Sequence, residues 1–537
     1  MGLFLICAGA YVAPELAAEF GRLPPSFLPV GNRRLYVLQR EAIGDAAERV
    51  CMSVPEDFDV PAHDRDQLER LGIELIPVPN GLSLGQSVVY CINVTAAAQG
   101  SVRILHGDTL IRGVDFGAPD AVSVGDTSDY YHWAGFEGEA DGIRAVYDTL
   151  PASGGVRRVL SGYFHFADAA RFVQCVMRAR SDFVGGMDLY TRHSPLHPLE
   201  TGDWLDFGHL HTFYRSRSRI TTQRAFNRLA IGPHTVVKSS PDTAKVAAEA
   251  AWYKALPGTL RPFTPALVGE ETGAYALEYL YLSPLNDLFV FGRLPAVVWQ
   301  RILAACAEFL DACAAHPPPP GNQAAEAAGA AALYGAKTEE RLRRFAATRG
   351  IDPARPWRIN GRPVPGLLEM ARRAAALVPA PRPDDVRLVH GDFGFSNIFY
   401  DFRTQRVRAV DPRGQDGHGR ATPYGDPRYD VAKLHHSVVG RYDFIVAGCC
   451  TLRRPSAYAL ELELPDHGAL AEVEALFRAS RFAGQVPEET AAPAIAVLLF
   501  LSMLPLHADA PDRQDALLAN AMRLFLDLEG DLERAGA

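Results

Sequence analysis

Up to about residue 225 the chain alternates short apolar runs with polar stretches, and near 226 that rhythm stops. LFLICAG, RVCMSV, IELIPV, SVRILHGD and AVSVGD are runs of strand length, and segments between them, such as DRDQLERLG, read as helices. This alternation is the pattern of βαβ units around a largely parallel sheet. After the break, TVVKSSPDTAKVAAEAAWYKALP reads as strand, turn and amphipathic helix, and TGAYALEYLYL as another strand. A chain of 537 residues is too long for one core. Two domains are therefore expected, 1–225 and 226–537, the second with a smaller lobe at about 226–290 and a larger helical lobe at about 291–537. The segment from about 312 to 335 is low in complexity and contains four consecutive prolines, so it is expected to be a loop between lobes.

The net charge of −9 argues against broad nucleic-acid binding, which needs a basic field. Eight scattered cysteines, with no CxxC pair, suggest reduced thiols and a cytoplasmic location. No window approaches eighteen apolar residues, and GLFLICAG lacks a basic flank, so it is read as a buried strand rather than a membrane segment.

The stretch LVHGDFGFSNIFYD, Leu388 to Asp401, places an aspartate and an asparagine five positions apart between apolar runs. VDPRG, Val410 to Gly414, adds a third polar group at a strand end. Phosphoryl transfer needs a group to orient the attacking hydroxyl, oxygen ligands for magnesium, and a lysine on the nucleotide phosphates. Asp392 suits the first role, Asn397 and Asp411 the second. Lys238 suits the third, with Glu249 eleven residues on in a helix to hold it. Asp426 and Asp430 in GDPRYDVAKL are expected to cap and brace a helix, and His435 and His436 to be packing or surface residues.

HGDFGFSN, VDPRG and GDPRYDVAKL together resemble the aminoglycoside phosphotransferase and choline kinase group, over roughly 230 to 537. That resemblance implies an α+β protein-kinase-like fold, ATP as co-substrate and Mg2+ as cofactor. It makes Asp392 the catalytic base, and LEYL the hinge that holds adenine through backbone groups of Glu278 and Leu280. Two departures stand out: Pro-Arg-Gly follows Asp411, and only AIGPH precedes Lys238 where a glycine-rich loop is usual.

The first half resembles sugar-phosphate nucleotidyltransferases, which have an α/β, Rossmann-like mixed sheet. FLPVGNRRL, Phe27 to Leu35, ILHGDTLI around Asp108, GLSLGQSVVYC, SGYFHF and DWLDFGHLHTFYRSR carry the likeness. It implies that Asp108 and Asp206 share a metal and that the loop with Gly85 and Gln86 contacts a nucleotide, such as CTP or UTP. The opening loop AGAYVAPELAAEFG lacks the Gly-x-Gly-x-Arg pattern, and Pro25 stands where the family keeps a lysine. Arg215, Arg217 and Arg219 are local charge that could replace part of what is lost.

The two resemblances imply one bifunctional enzyme. It would phosphorylate a small sugar or alcohol and activate the product as a nucleoside-diphosphate conjugate, as in building surface polysaccharide. The alternative is a kinase whose first domain binds a nucleotide-sugar without reacting. The oligomeric state stays open at this point, a homo-oligomer included.

Overall fold

Seven strands form the main sheet of the first half, in the order His197–Glu200, Ala121–Thr127, Arg157–Phe166, Val102–His106, Leu3–Cys7, Val50–Pro55, Ile73–Val78. Arg157–Phe166 is antiparallel to both neighbours, and the other pairs are parallel. The computed structural model describes residues 2–47, 49–129, 131–139, 142–148, 155–220, 228–466 and 468–536. The chain divides into two units, Met1–Ile220 with Phe291–Arg293, and Thr221–Val290 with Leu294–Ala537. The expected boundary at 225/226 lies outside the described residues.

Strand Leu3–Cys7 is apolar without interruption because it is covered on both faces, and Leu3 to Ile6 are buried. From this strand the sheet is built outward through Val50–Pro55 and Ile73–Val78, and then resumes on the other side with Val102–His106. Such a reversal opens a crevice at the carboxyl ends of the two central strands, where α/β sheets take their ligands. Asp108 follows the end of Val102–His106 by two residues. A short antiparallel pair, Thr109–Arg112 with Asp203–Asp206, sets Asp206 opposite Thr109.

A buried anchor steadies one wall of this unit. The Arg34 guanidinium grips Asp64 through both oxygens at 2.9 and 2.7 Å and donates to the Phe27 carbonyl at 2.7 Å. Burial alone would raise the Asp64 carboxyl, but Arg34 outweighs it and holds the group below the usual carboxylate range.

The second unit begins with a four-stranded antiparallel sheet, ordered Arg228–Ile231, Thr235–Ser239, Ala274–Glu278, Leu267–Glu271, with helix Thr243–Ala255 against it. Asp242 caps that helix, accepting from the Lys245 amide. The larger lobe is mainly helical and contains Ala296–Ala314, Pro427–Val438, Ala492–Met503 and Pro511–Gly536.

Two expectations need correction. The stretch from about 312 to 335 is not one loop. Helix Ala296–Ala314 runs into it and Gln323–Ala331 forms another helix, so that only residues around the prolines and 332–335 stay non-helical. Low complexity misled here, because alanine is the strongest helix former. The region after 338, expected to be mainly helical except for strands around 386–412, also holds Tyr424–Gly425 and a small sheet of four strands, Trp357–Ile359, Arg362–Val364, Thr451–Ser456 and Ala459–Glu463. The hairpin between the first two turns on Asn360 and Gly361, both with positive φ, which is the preferred chemistry of a tight hairpin turn.

Candidate functional site

In the second unit the structure gathers Asp392, Asn397, Asp411, Lys238 and Glu249. Lys238 lies mid-strand, its side chain almost wholly buried between Glu249, at 2.7 Å, and Asp411. Burial would strip its proton, but Asp411 and Glu249 outweigh burial and raise its pKa. Tyr275 donates to the same Glu249 oxygen at 3.0 Å, fixing the carboxylate from the other side. The turn between the first two strands of this sheet spans only Gly232 to His234, closed by the Gly232 amide on the Thr235 carbonyl at 2.8 Å.

The segment that carries Asp392 is held by helix Pro427–Val438. Asp430 accepts from the amides of His390 and Gly391, both at 2.8 Å, so it braces this loop as well as standing in the first turn of its helix. Asp426 caps that helix, accepting from the Arg428 amide at 3.0 Å. His390 is buried, and burial pushes its imidazole down to about 4, so it is neutral. As a neutral ring it accepts the Asp392 amide on Nδ1 at 3.3 Å and donates from Nε2 to the Val410 carbonyl at 3.0 Å. One side chain thus ties the strand end before Asp392 to the strand end before Asp411.

Asn397 turns its amide nitrogen toward Asp392, donating to the backbone carbonyl at 2.9 Å and to Oδ2 at 3.0 Å. Its side-chain oxygen accepts from the Ser396 hydroxyl at 3.3 Å, and its backbone carbonyl accepts the Val410 amide at 2.9 Å, next in the chain to Asp411. Asp411 has a φ of 59°, a left-handed conformation that aspartate adopts more readily than most residues. An amide oxygen and a carboxylate are hard-oxygen donors, the chemistry magnesium takes.

Sequence reasoning missed Lys433, whose ammonium lies 2.8 Å from Asp392 Oδ1. Burial would raise the Asp392 carboxyl, but Lys433 and then Arg413 outweigh it and hold it well below the usual range. His435 and His436, on the same helix, are buried in aromatic packing against Phe477, Tyr442 and Phe500. Helix Thr243–Ala255 is fastened to this lobe as well. Trp252 Nε1 donates to the Val389 carbonyl at 2.8 Å and the Asp411 amide to the Tyr253 hydroxyl at 3.3 Å. A side chain at Gly414 would stand 2.5 Å from the Ala248 carbonyl.

Glu278 ends its strand. Its amide donates to the Ala266 carbonyl at 2.9 Å and its side chain accepts from Arg408 at 3.1 Å, while the Tyr279 amide donates to His234. Leu280 follows outside the strand.

In the first unit, Asp108 and Asp206 converge. A Cβ at Gly208 would stand 2.6 Å from Asp108 Oδ2 and 3.5 Å from Asp206 Oδ1, so both carboxylates crowd one small space. Asp206 Oδ2 is buried without a hydrogen-bond partner. Burial and the nearby Asp108 push the Asp206 carboxyl up to about 7. Two crowded carboxylates with an orphaned oxygen fit a divalent cation. Among the described residues no cluster of three or more His, Cys, Asp or Glu is arranged for a metal.

The other first-unit residues take jobs within the chain. Gln86 closes a capping box with Ser83, and a side chain at Gly85 would stand 2.4 Å from the Ser181 carbonyl, so this glycine admits the chain's own backbone. Ser87, next along, faces Gly9 in the loop after Leu3–Cys7, which sets the start of the helix at the crevice. Arg215 grips Asp129 and Arg219 pairs with Asp203, so both arginines are committed to carboxylates. Pro25 opens a short turn whose Ser26 donates to the Gly107 carbonyl at 3.0 Å.

No curated protein matches the chain. The first part is similar to solved structures of a nucleoside-diphosphate-sugar pyrophosphorylase from Vibrio cholerae RC9, at 13% identity, covering 40% of this chain and 99% of that one with a TM-score of 0.33. It is also similar to CTP:phosphocholine cytidylyltransferase from Streptococcus pneumoniae, at 11% identity, covering 41% and 99% with a TM-score of 0.33. Residues 219–453 match the phosphotransferase enzyme family, and the second unit carries a domain of that family.

Proposed function

We propose that the second unit transfers the γ-phosphoryl group of ATP to the hydroxyl of a small molecule. The supporting observation is the set of Asp392, Asn397, Asp411, Lys238 and Glu249 on one cleft edge. Asp392, ionised at every working pH, accepts a hydrogen bond from the acceptor hydroxyl and aims its oxygen at the γ-phosphorus. The new oxygen–phosphorus bond forms as the bridging bond to the β-phosphate breaks, and the hydroxyl proton passes to Asp392 and then to water. Lys238, held by Glu249, neutralises phosphate oxygens. Asn397 and Asp411 would hold a magnesium ion, which would supply positive charge to the nucleotide phosphates. The Leu280 amide and Glu278 carbonyl take the adenine edge.

The first unit, in this reading, binds an NTP with Asp108 and Asp206 as cation ligands and Gly85 and Gln86 at the nucleotide side. Its reaction joins the kinase product to the α-phosphate and releases pyrophosphate, in the cytoplasm, toward surface polysaccharide. Pro25 favours a second reading, a nucleotide-sugar-binding module without catalysis. Proline offers no ammonium to the α-phosphate, a loss worth about 2.7–4 kcal/mol, and Arg215 and Arg219 are already paired.

Two assays test these readings. Asp392→Asn should cut ATP-dependent turnover by orders of magnitude while ATP still binds; parental turnover sinks the kinase assignment. Supplying the kinase product, each NTP and magnesium to the full chain should release pyrophosphate. Active kinase with no pyrophosphate from any NTP leaves the first unit as a binding module.

A further inference from the structure

Helix Pro427–Val438 meets the segment around Asp392 with three residues. Asp430 accepts the His390 and Gly391 amides at 2.8 Å, Lys433 reaches the Asp392 carboxylate, and Ser437 accepts the Phe395 amide at 3.1 Å. Spacings of three and four residues put them on one helix face. The lysine stem crosses Gly394, which is buried. A Cβ there would stand 3.5 Å from Lys433 Cε, so the ammonium is delivered over a position that has no side chain of its own.

Each oxygen of Asp392 already has a donor, Lys433 on Oδ1 at 2.8 Å and Asn397 on Oδ2 at 3.0 Å. The carboxylate is still 36% exposed, and each oxygen has a second lone pair for a hydroxyl. Lys433 is less than fully engaged in the same way. An ammonium carries three N–H groups, Asp392 is its one ion-pair partner among the described residues, and its side chain is 14% exposed.

The other cations around the reacting centre are committed. Lys238 stands between Glu249 and Asp411, and Arg413 donates to the Gly391 carbonyl at 2.9 Å and to the Tyr429 hydroxyl. On the acceptor side, a carboxylate therefore faces a phosphoryl group that is itself negative, and like charges so close oppose the transfer. Lys433 is the cation placed to offset this. A hydroxyl poised for attack from Asp392 has its phosphorus about 3–3.5 Å further on. An ammonium on the same carboxylate can then reach a non-bridging oxygen with one hydrogen bond.

Resting on the phosphotransferase reading above, we propose that Lys433 is a further catalytic residue, donating to a non-bridging oxygen of the γ-phosphoryl group as it crosses to the acceptor. The acceptor oxygen bonds to phosphorus, and the bridging bond breaks with its electron pair leaving on ADP. The hydroxyl proton passes to Asp392, and Lys433 keeps its own protons throughout. Charge stabilised only in transit is the kind of contact that raises turnover.

The test uses the full chain with MgADP and fluoroaluminate, a planar mimic of the phosphoryl group between donor and acceptor. Calorimetric titration should show that MgADP alone binds the parent and Lys433→Met alike. Fluoroaluminate should tighten nucleotide binding in the parent, and the variant should lose about 100-fold of that gain. Lys433→Arg, which keeps a cation, should recover part of it. MgADP affinity reports a folded kinase unit, and Lys433→Gln carries the same comparison where the methionine variant fails to fold. The Asp392→Asn background separates contact from support. A lysine that merely holds Asp392 has no further effect there, whereas direct contact predicts an additional loss of about tenfold or more when Lys433→Met is added. No fluoroaluminate gain in the parent, equal gains in parent and Lys433→Met, or no additional loss in the Asp392→Asn background overturns the inference and leaves the kinase reading standing. A parent protein that does not bind MgADP overturns both.

Discussion

Lys433→Met removes the ammonium 2.8 Å from Asp392 Oδ1 and keeps most of the side chain's volume. Taking one partner from a fully buried ion pair costs about 3–5 kcal/mol, whereas exposed pairs contribute about 0–1 kcal/mol. The Lys433 side chain is 14% exposed but that of Asp392 is 36% exposed, so water can take up part of the lost charge. Asn397 still donates to Asp392 at 3.0 Å, and Arg413 stays close. A value of about 2 kcal/mol follows, between those limits. The sign with pH is fixed by the direction of the Asp392 shift. A depressed carboxyl contributes stability above its unfolded pKa of about 3.9 and loses it as pH falls through the folded value. Parent and variant should therefore differ fully at pH 7 and converge in acid. Without Lys433, burial is less opposed and the acid limb of the turnover profile should move up by about one to two pH units. Urea unfolding followed by tryptophan fluorescence, and kcat/KM followed down to about pH 3, read both quantities. An unchanged urea midpoint with superimposable pH profiles would refute the role given to Lys433.

Two other substitutions probe the first unit. Gly208→Ala pushes a methyl group to within 2.6 Å of Asp108 Oδ2, so manganese affinity of this unit should drop by about 10- to 100-fold while ATP binding by the second unit stays; an unaltered manganese titration by electron paramagnetic resonance counts against a cation between Asp108 and Asp206. Arg34→Met strands a fully buried Asp64 and should destabilise the first unit by about 3–5 kcal/mol in urea, and a loss below about 1 kcal/mol would show the pair to be dispensable.

The aspartates were legible because each stands at the end of an apolar run, where a strand must deliver its next residue to the sheet edge. Lys433 was not, because in GDPRYDVAKLHHSV a lysine beside two histidines looks like a solvent face. The helix has almost none: Tyr429 to Val438 are buried except for a half-buried Lys433. A lysine on a helix without a wet side needs an internal anion, and that inference requires knowing the burial first. Asn360-Gly361 was a readable hairpin signal that the short strands around it concealed. Gly85 and Gln86 sit where a nucleotide loop was expected, yet sequence cannot separate a glycine that admits a ligand from one that admits Ser181.

Helix Thr243–Ala255 holds Glu249 against Lys238, and Trp252, Tyr253 and the close packing of Gly414 on Ala248 join it to the lobe that contains Asp392 and Asp411. Swinging this helix outward, a common way to disarm a kinase, would break an indole hydrogen bond and open a backbone contact with no room for even one methyl group. The lysine–glutamate pair is thus built as a permanent fixture rather than a toggle. Control over such a kinase falls to the supply of its two substrates, and flux through it should track their concentrations without lag.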